Sequence, residues 1–260
     1  GLSSNDGISV IRYNNGYGAW ALNIGRSRSD TLGTNTILSN NDDIGHITFW
    51  GADGSDFNKA AQISAQVDGT PSDGADMPGR LVFKTSSDGS GTPTERMRIS
   101  SEGYVTKPNH PCFRAGRSSG VTPGSNTTIV FNTDTGTTHF NQGTHYNSST
   151  GAFTAPVAGI YYFYCQVLWQ DLSDGQNMDD AFYIHYNSSG GASGGNLVTY
   201  DARRAEYIAN ETGNAGYYGA HSSVMVNMAQ GGSVFVVNNR AGVKIHGNAN
   251  FTFFQGYLIG

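Results

Sequence analysis

Apolar and polar side chains alternate with a period of two along most of the chain. Ile47 and Phe49 alternate with His46 and Thr48. Ile63, Ala65 and Val67 alternate with Gln62, Ser64 and Gln66. Leu81 and Phe83 alternate with Arg80 and Lys84, and Met97 and Ile99 with Arg96 and Arg98. Successive side chains of a strand point to opposite faces, so this pattern predicts strands with one buried face. Turn-forming clusters separate them: Ala52-Asp53-Gly54-Ser55, Asp68-Gly69-Thr70-Pro71 and Asp88-Gly89-Ser90-Gly91. Trp20, Leu22 and Ile24 alternate in the same manner. No sustained helical period is present; Phe57 to Ala61 is expected to make at most one helical turn.

The pattern changes in the second half. Tyr161, Phe163, Cys165, Val167 and Trp169 lie on one face of a predicted strand, and Tyr162, Tyr164, Gln166 and Leu168 on the other. Near the end, Phe251, Phe253, Tyr257 and Ile259 oppose Phe254 and Leu258. A strand apolar on both faces needs cover on both. One face can fill the domain's own core. The other can meet a second subunit, or a second sheet with loops over it. Between the halves, Thr106-Lys107-Pro108-Asn109-His110-Pro111 has two prolines and no strand pattern, which predicts a stiff linker. The expected organisation is a β-rich module over 1–105, a linker over 106–110 and a larger β-domain over 111–260.

Composition narrows the class. Charged residues are 13% of the chain, against roughly 25% in an average protein. The 36 glycines are about twice the usual share of roughly 7%. Abundant aromatics with little charge exclude a disordered chain and fit short strands joined by tight turns. Net charge is −5, with 9 basic and 12 acidic residues before position 109 and 6 and 8 after it. Neither half carries the basic face that a phosphate backbone needs, so no nucleic-acid partner is expected. No apolar run is long enough to insert in a bilayer. Beginning at Gly1, the sequence reads as a fragment or a processed product. Cys112 and Cys165 are too few for a disulfide scaffold, and two buried free thiols are favoured over a bridge.

Residues 111–260 resemble the globular head of complement component one-q, which shares the tumour-necrosis-factor jelly roll. The resemblance rests on Tyr146-Asn147 followed by Thr150-Gly151-Ala152-Phe153-Thr154-Ala155-Pro156-Val157-Ala158-Gly159-Ile160-Tyr161-Tyr162-Phe163. Pro111 to Ala115 matches the opening strand and Ile129-Val130-Phe131 the second. Ser222 to Gln230, Gly232 and Val234 match a later segment, with Ser233 where the family usually has Asp. Phe253 to Ile259 matches the closing strand. The resemblance implies an all-β, ten-stranded jelly-roll sandwich assembled as a compact homotrimer. Phe153, Tyr161, Phe163, Phe253 and Tyr257 would then be core or trimer-forming residues.

Residues 42–105 resemble a second module, common in bacteriophage tail fibres. Its marks here include Asp43-Ile44-Gly45, Val67-Asp68-Gly69-Thr70-Pro71, Met77-Pro78-Gly79-Arg80-Leu81 and Glu95-Arg96-Met97-Arg98-Ile99. That likeness implies a trimeric fibre shaft on a virion, extracellular when acting. The expected partners are two further copies, a host cell-surface receptor and the remaining fibre or virion proteins.

Candidate chemistry is sparse. Gly191-Ala192-Ser193-Gly194-Gly195 has the spacing of a nucleophile elbow, but a strand-like segment follows instead of a helix, so it reads as a loop. No phosphate loop or zinc-protease motif occurs, and no catalytic residues are assigned. His139 and His145 flank a turn and are expected at the surface. No cofactor is expected, except that Asp171, Asp174, Asp179 and Asp180 form an acidic cluster able to bind calcium, without EF-hand spacing. Tyr200, Arg203, Arg204, Tyr207, Tyr217 and Tyr218 form the segment best suited to receptor binding, through stacking faces and forked donors. The leading expectation is a non-enzymatic fibre tip that adheres to a bacterial surface component, a glycan. The alternatives are a polysaccharide depolymerase and a purely structural trimerisation or decoration module.

Overall fold

The computed structural model describes residues 13, 15–19, 21–173, 176–200, 206–207 and 216–260, with the backbone alone for Gln176, Tyr200, Glu206 and Tyr207. All regular structure among the described residues is β. The chain divides into two compact units, Gly1–Pro108 and Asn109–Gly260.

The first unit holds β1 (Asp43–Ala52), β2 (Phe57–Val67), β3 (Gly79–Thr85), β4 (Thr94–Ile99) and β5 (Val105–Thr106), joined in sequence as an antiparallel meander. Residues 53–56 make the first hairpin turn. Asp53 Oδ1 accepts hydrogen bonds from the Ser55 and Asp56 amides at 2.8 Å, and Gly54 supplies a φ of +105°. Phe57 to Ala61, expected to form a helical turn, instead continue the ladder from Ala52↔Phe57. The tight hairpin places these residues beside β1, and cross-strand pairing overrides local preference. Leu22 and Ile24 also depart from expectation: residues 21–42 contain no strand. Hydrogen bonds such as Arg28 N to Thr36 O close that stretch into a loop instead. Trp20 lies outside the described residues.

Register sorts the sheet's two faces. Ile47, Ile63, Phe83 and Met97 stand opposite one another in one rung, and Ala65, Leu81, Ile99 and Val105 in the next. The other face is mostly polar, with Val82 and Ser64 buried within it. There the Arg80 guanidinium donates to Gln66, Asp68 and Asn41 at 2.8–3.0 Å. Arg98 holds Glu95 in a two-pronged pair at 2.6 and 2.7 Å.

The second unit holds β6 (Cys112–Gly116), β7 (Thr127–Thr128), β8 (Phe140–Gln142), β9 (Tyr146–Asn147), β10 (Ala152–Thr154), β11 (Gly159–Leu172), β12 (Gln176–Asn177), β13 (Phe182–Asn187), β14 (Asn196–Tyr200), β15 (Glu206–Tyr207), β16 (Gly216–Met228), β17 (Ser233–Asn238), β18 (Lys244–Ile245) and β19 (Phe253–Leu258). One sheet runs β14-β13-β17-β10-β9, with β7 beside β17. The other runs β16-β11-β19-β6-β8, with β18 beside β11. Sequence-distant strands lie side by side, as in a jelly-roll sandwich.

The core between the sheets is aromatic. Phe113 stacks on Tyr146 at 4.7 Å and on Phe153 at 5.1 Å, and meets the Phe254 edge at 5.0 Å. Tyr161, Phe163, Cys165, Val167 and Trp169 are fully buried, so the row read from the sequence faces inward. The Tyr146 hydroxyl donates to Phe131 O at 3.0 Å and accepts from Phe131 N at 3.2 Å. Burial drives its pKa up despite that bond. Gly256 lets β19 approach β11: a Cβ there would sit 2.5 Å from Phe163 Cδ1. Both cysteines are free. Cys112 stands on the outward face opposite Tyr257, whereas Cys165 is buried with its thiol pKa raised by desolvation.

Two measurements check this packing. Phe113→Ala should cost about 3–5 kcal/mol in a denaturant titration, because three rings lose their partner; a cost below about 1 kcal/mol would contradict the stacked core. In the first unit, the two-pronged bond from Arg28 holds the Asp42 carboxyl at about 2. A depressed carboxyl stabilises the fold above its unfolded value and releases that stability as pH falls through the folded value. A carbon-detected NMR titration should place the Asp42 midpoint near 2; a midpoint at the ordinary aspartate value of 3.8 would disprove the pair.

Candidate functional site

The outward face of the β16-β11-β19-β6-β8 sheet is a feature the aromatic core between the sheets does not use. Its rungs follow from register. Met225, Tyr162, Tyr257 and Cys112 form one row. Ser223, Tyr164, Gln255, Arg114 and Phe140 form the next. His221, Gln166 and Phe253 form a third. Rings meet within and between the rows: Tyr162 lies 5.5 Å from Tyr257 in the first, and Tyr164 of the second stacks on Phe253 at 5.7 Å and His221 at 6.0 Å in the third. The Arg114 guanidinium lies over the Phe253 ring at 3.9 Å and is the one Lys, Arg, Asp or Glu side chain in these rows. Met225 is 68% exposed and Tyr257 45%. Exposed apolar faces this continuous and this poor in charge mark association surfaces.

The five residues expected to build core or trimer separate by parity. Phe153, Tyr161 and Phe163 point inward and are fully buried. Phe253 and Tyr257 point outward, Phe253 buried beside Arg114 and Tyr164 and Tyr257 exposed. Sequence reasoning passed over Met225, Ile160 and Arg114 on the same face. Val224, Val226 and Met228 around Met225 carry the same two-sided apolar signal as β11.

One end of this face carries a smaller aromatic group. Tyr217 meets His246 edge-on at 5.8 Å, and His246 meets Phe251 at 6.0 Å. Phe251 belongs to the turn before β19, held by its amide on Asn248 O at 2.9 Å, and not to the strand itself. Tyr217 is 58% exposed, whereas Tyr218 turns inward and leans on Trp169 at 6.0 Å. The two neighbouring tyrosines therefore serve opposite faces, as adjacent strand positions must. Tyr200 and Tyr207 lie in β14 and β15, and Arg203 and Arg204 lie outside the described residues.

The acidic cluster is not assembled among the described residues. The Asp171 carboxylate accepts from Lys244 Nζ at 3.0 Å, and that bond lowers its pKa. Asp179 and Asp180 follow Met178 in a turn, and Asp174 lies outside the described residues. No three His, Cys, Asp or Glu side chains among the described residues converge as a metal site. Gly191 to Gly195 form the β13–β14 connection, with four glycines of residues 190–195 at positive φ and no helix after them. His139, expected at the surface, is buried, with Nε2 3.1 Å from Ala249 O. Close approach at Gly116, where a Cβ would meet that nitrogen at 2.6 Å, makes the room for it. No helix among the described residues is long and apolar enough to cross a membrane.

The family model for the C1q domain matches residues 112–259. None of the curated proteins matches the chain. Among solved structures, the chain is similar to Eiger TNF from S. frugiperda, at 11% identity, covering 58% of this chain and 94% of that one with a TM-score of 0.43. It is similar to the globular domain of zebrafish complement 1qA protein, at 14% identity, 58% and 98% coverage and a TM-score of 0.39. Murine APRIL at pH 5.0 aligns at 15% identity, 58% and 99% coverage and a TM-score of 0.44.

Proposed function

The chain belongs to the C1q-domain family through residues 112–259, and we propose that it is the homotrimeric tip of a bacteriophage tail fibre that binds a glycan on the bacterial surface. Domains of this family are typically non-enzymatic ligand-binding or structural modules and are often trimeric. The observation that carries the reading is the ring-lined, nearly uncharged outward face of β16-β11-β19-β6-β8. Two more copies of the same chain would remove that face from water, with Arg114 kept on its own Phe253 ring. The tail-fibre assignment draws on the likeness of residues 42–105 to a fibre module. Tyr217, with His246 and Phe251 beside it, offers a flat surface on which a sugar ring can stack. Three weak copies of such a site would act together on a repeating surface polymer.

Charge placed on the association face should separate folding from assembly. Met225→Lys with Tyr257→Asp is expected to leave the far-ultraviolet circular dichroism of the sheets intact and yield a single-chain species in sedimentation velocity. A three-chain species from that variant would contradict the proposed interface.

For adhesion, the intact protein should give signal on a bacterial glycan array. Tyr217→Ala should weaken that signal by about tenfold, because a roughly twofold loss at each site compounds over three subunits. Signal from neither glycans nor host cells would favour the structural-module alternative.

A further inference from the structure

β11 bulges where it meets the start of β16, and polar side chains gather at the bulge. Trp169 pairs with Tyr218 and Leu172 with Gly216, so Gln170 and Asp171 together stand opposite the single residue Tyr217. Trp169 and Leu172 are buried, which leaves the two bulged residues on the outward side of the sheet. Asp171 has a φ of +60°, in the left-handed region that glycine occupies at least cost. An aspartate in that conformation is strained, and strained positions cluster at ligand sites.

The Asp171 carboxylate is fixed by its neighbours. Lys244 Nζ donates to Oδ2 at 3.0 Å, and Gln170 Nε2 donates to the same oxygen at 3.2 Å. Lys244 pairs with Gln170 across β18 and β11, so the three side chains share one short row beside Tyr217. Both bonds converge on Oδ2, which leaves Oδ1 and the remaining ammonium hydrogens of Lys244 for another molecule. The Asp171 and Lys244 side chains are 51% and 44% exposed, so a ligand can reach them.

His246 joins this polar row to the rings. It follows Ile245, the partner of Trp169, and its ring meets Tyr217 on one side and Phe251 on the other. The hydrogen bond from Lys244, then that from Gln170, and after them the charges of Lys244 and His246 hold the Asp171 carboxyl below its ordinary range.

We propose that the bulge and the Tyr217 platform are two halves of one saccharide site, whose ligand is an uncharged sugar with adjacent hydroxyls. The proposal rests on the stacking role given to Tyr217 above. The sugar ring lies on Tyr217; one hydroxyl donates to Asp171 Oδ1 and its neighbour accepts from Lys244 Nζ. Charge selects the class. Asp171 and Lys244 neutralise each other. A sugar carboxylate would have to draw Lys244 away and then face an unpaired aspartate. An amino sugar would displace Lys244 in the same manner. Neutral hydroxyls use the pair without breaking it.

Glycan-array binding by the full-length protein and its variants tests this. Neutral hexose glycans should be bound, and the same glycans ending in a uronic acid should give about tenfold less signal. Asp171→Gly and Lys244→Met should each weaken the neutral-glycan signal by about tenfold, a roughly twofold loss per site compounded over three subunits. Asp171→Gly should leave the thermal midpoint within a few degrees of the parent, because glycine adopts the bulge conformation without strain. A signal that falls with Tyr217→Ala but not in either bulge variant would overturn the proposal and leave the Tyr217 platform standing. Equal signal from neutral and uronic-acid glycans would overturn the ligand class. Signal from no glycan would defeat both readings. Should Asp171→Gly lower the midpoint sharply, Lys244→Met decides alone, and an unchanged signal from that variant would overturn the proposal.

Discussion

Water on both sides of β11 is the condition this molecule cannot tolerate. The strand is 14 residues long and is paired along both edges, with β16 on one side and β19 on the other. Its inward row, Tyr161 to Trp169, is fully buried and organises the aromatic core. Its outward row includes Ile160, Tyr162, Tyr164 and Leu168, against which β19 sets Tyr257 and β16 sets Met225. Each fully buried side chain of this kind contributes roughly 1.5–3 kcal/mol relative to exposure. The fold gains that contribution on the inward row alone. The outward row still has it to gain from another surface, and that remainder is the physical basis for association.

Much of this was legible from alternation and spacing. The period of two located the strands of both units, and the parity of Tyr161 to Trp169 separated core from surface. The Gly151 to Phe163 run carried the family. What escaped did so for definable reasons. Phe57 to Ala61 lacks alternation, yet the turn held by Asp53 lays it beside β1, and a ladder formed over long range outweighs local preference. Leu22 and Ile24 alternate, yet residues 21–42 supply them no ladder, and alternation without a pairing edge does not make a strand. His139 is buried because Gly116 leaves space, a three-dimensional fact that neither residue signals alone. Tyr217 and Tyr218 look equivalent in a list of aromatics, but strand parity sends one to solvent and the other to Trp169.

The two units solve different halves of one problem. The second unit is a closed sandwich with surplus apolar surface. The first is an open sheet, polar on one side, whose other side the described residues leave partly exposed. Low charge overall, at 13%, makes both apolar faces broad and weakens electrostatic discrimination between partners. Shape and burial must therefore set the partner, and the identical chains of the proposed trimer would meet both demands. On such an assembly, Tyr217 and its ring neighbours would recur in threefold symmetry at one end of the sheet, a geometry suited to a repeating polymer rather than a single small ligand.

The native mass of the unmodified protein tests the account most directly. Multi-angle light scattering, run from tens of micromolar downward, should return three times the 27.6 kDa chain at every concentration at which the fold persists. A well-folded species of 27.6 kDa at micromolar concentration would mean that water is tolerated on the outward row of β11 after all, and the account would fail.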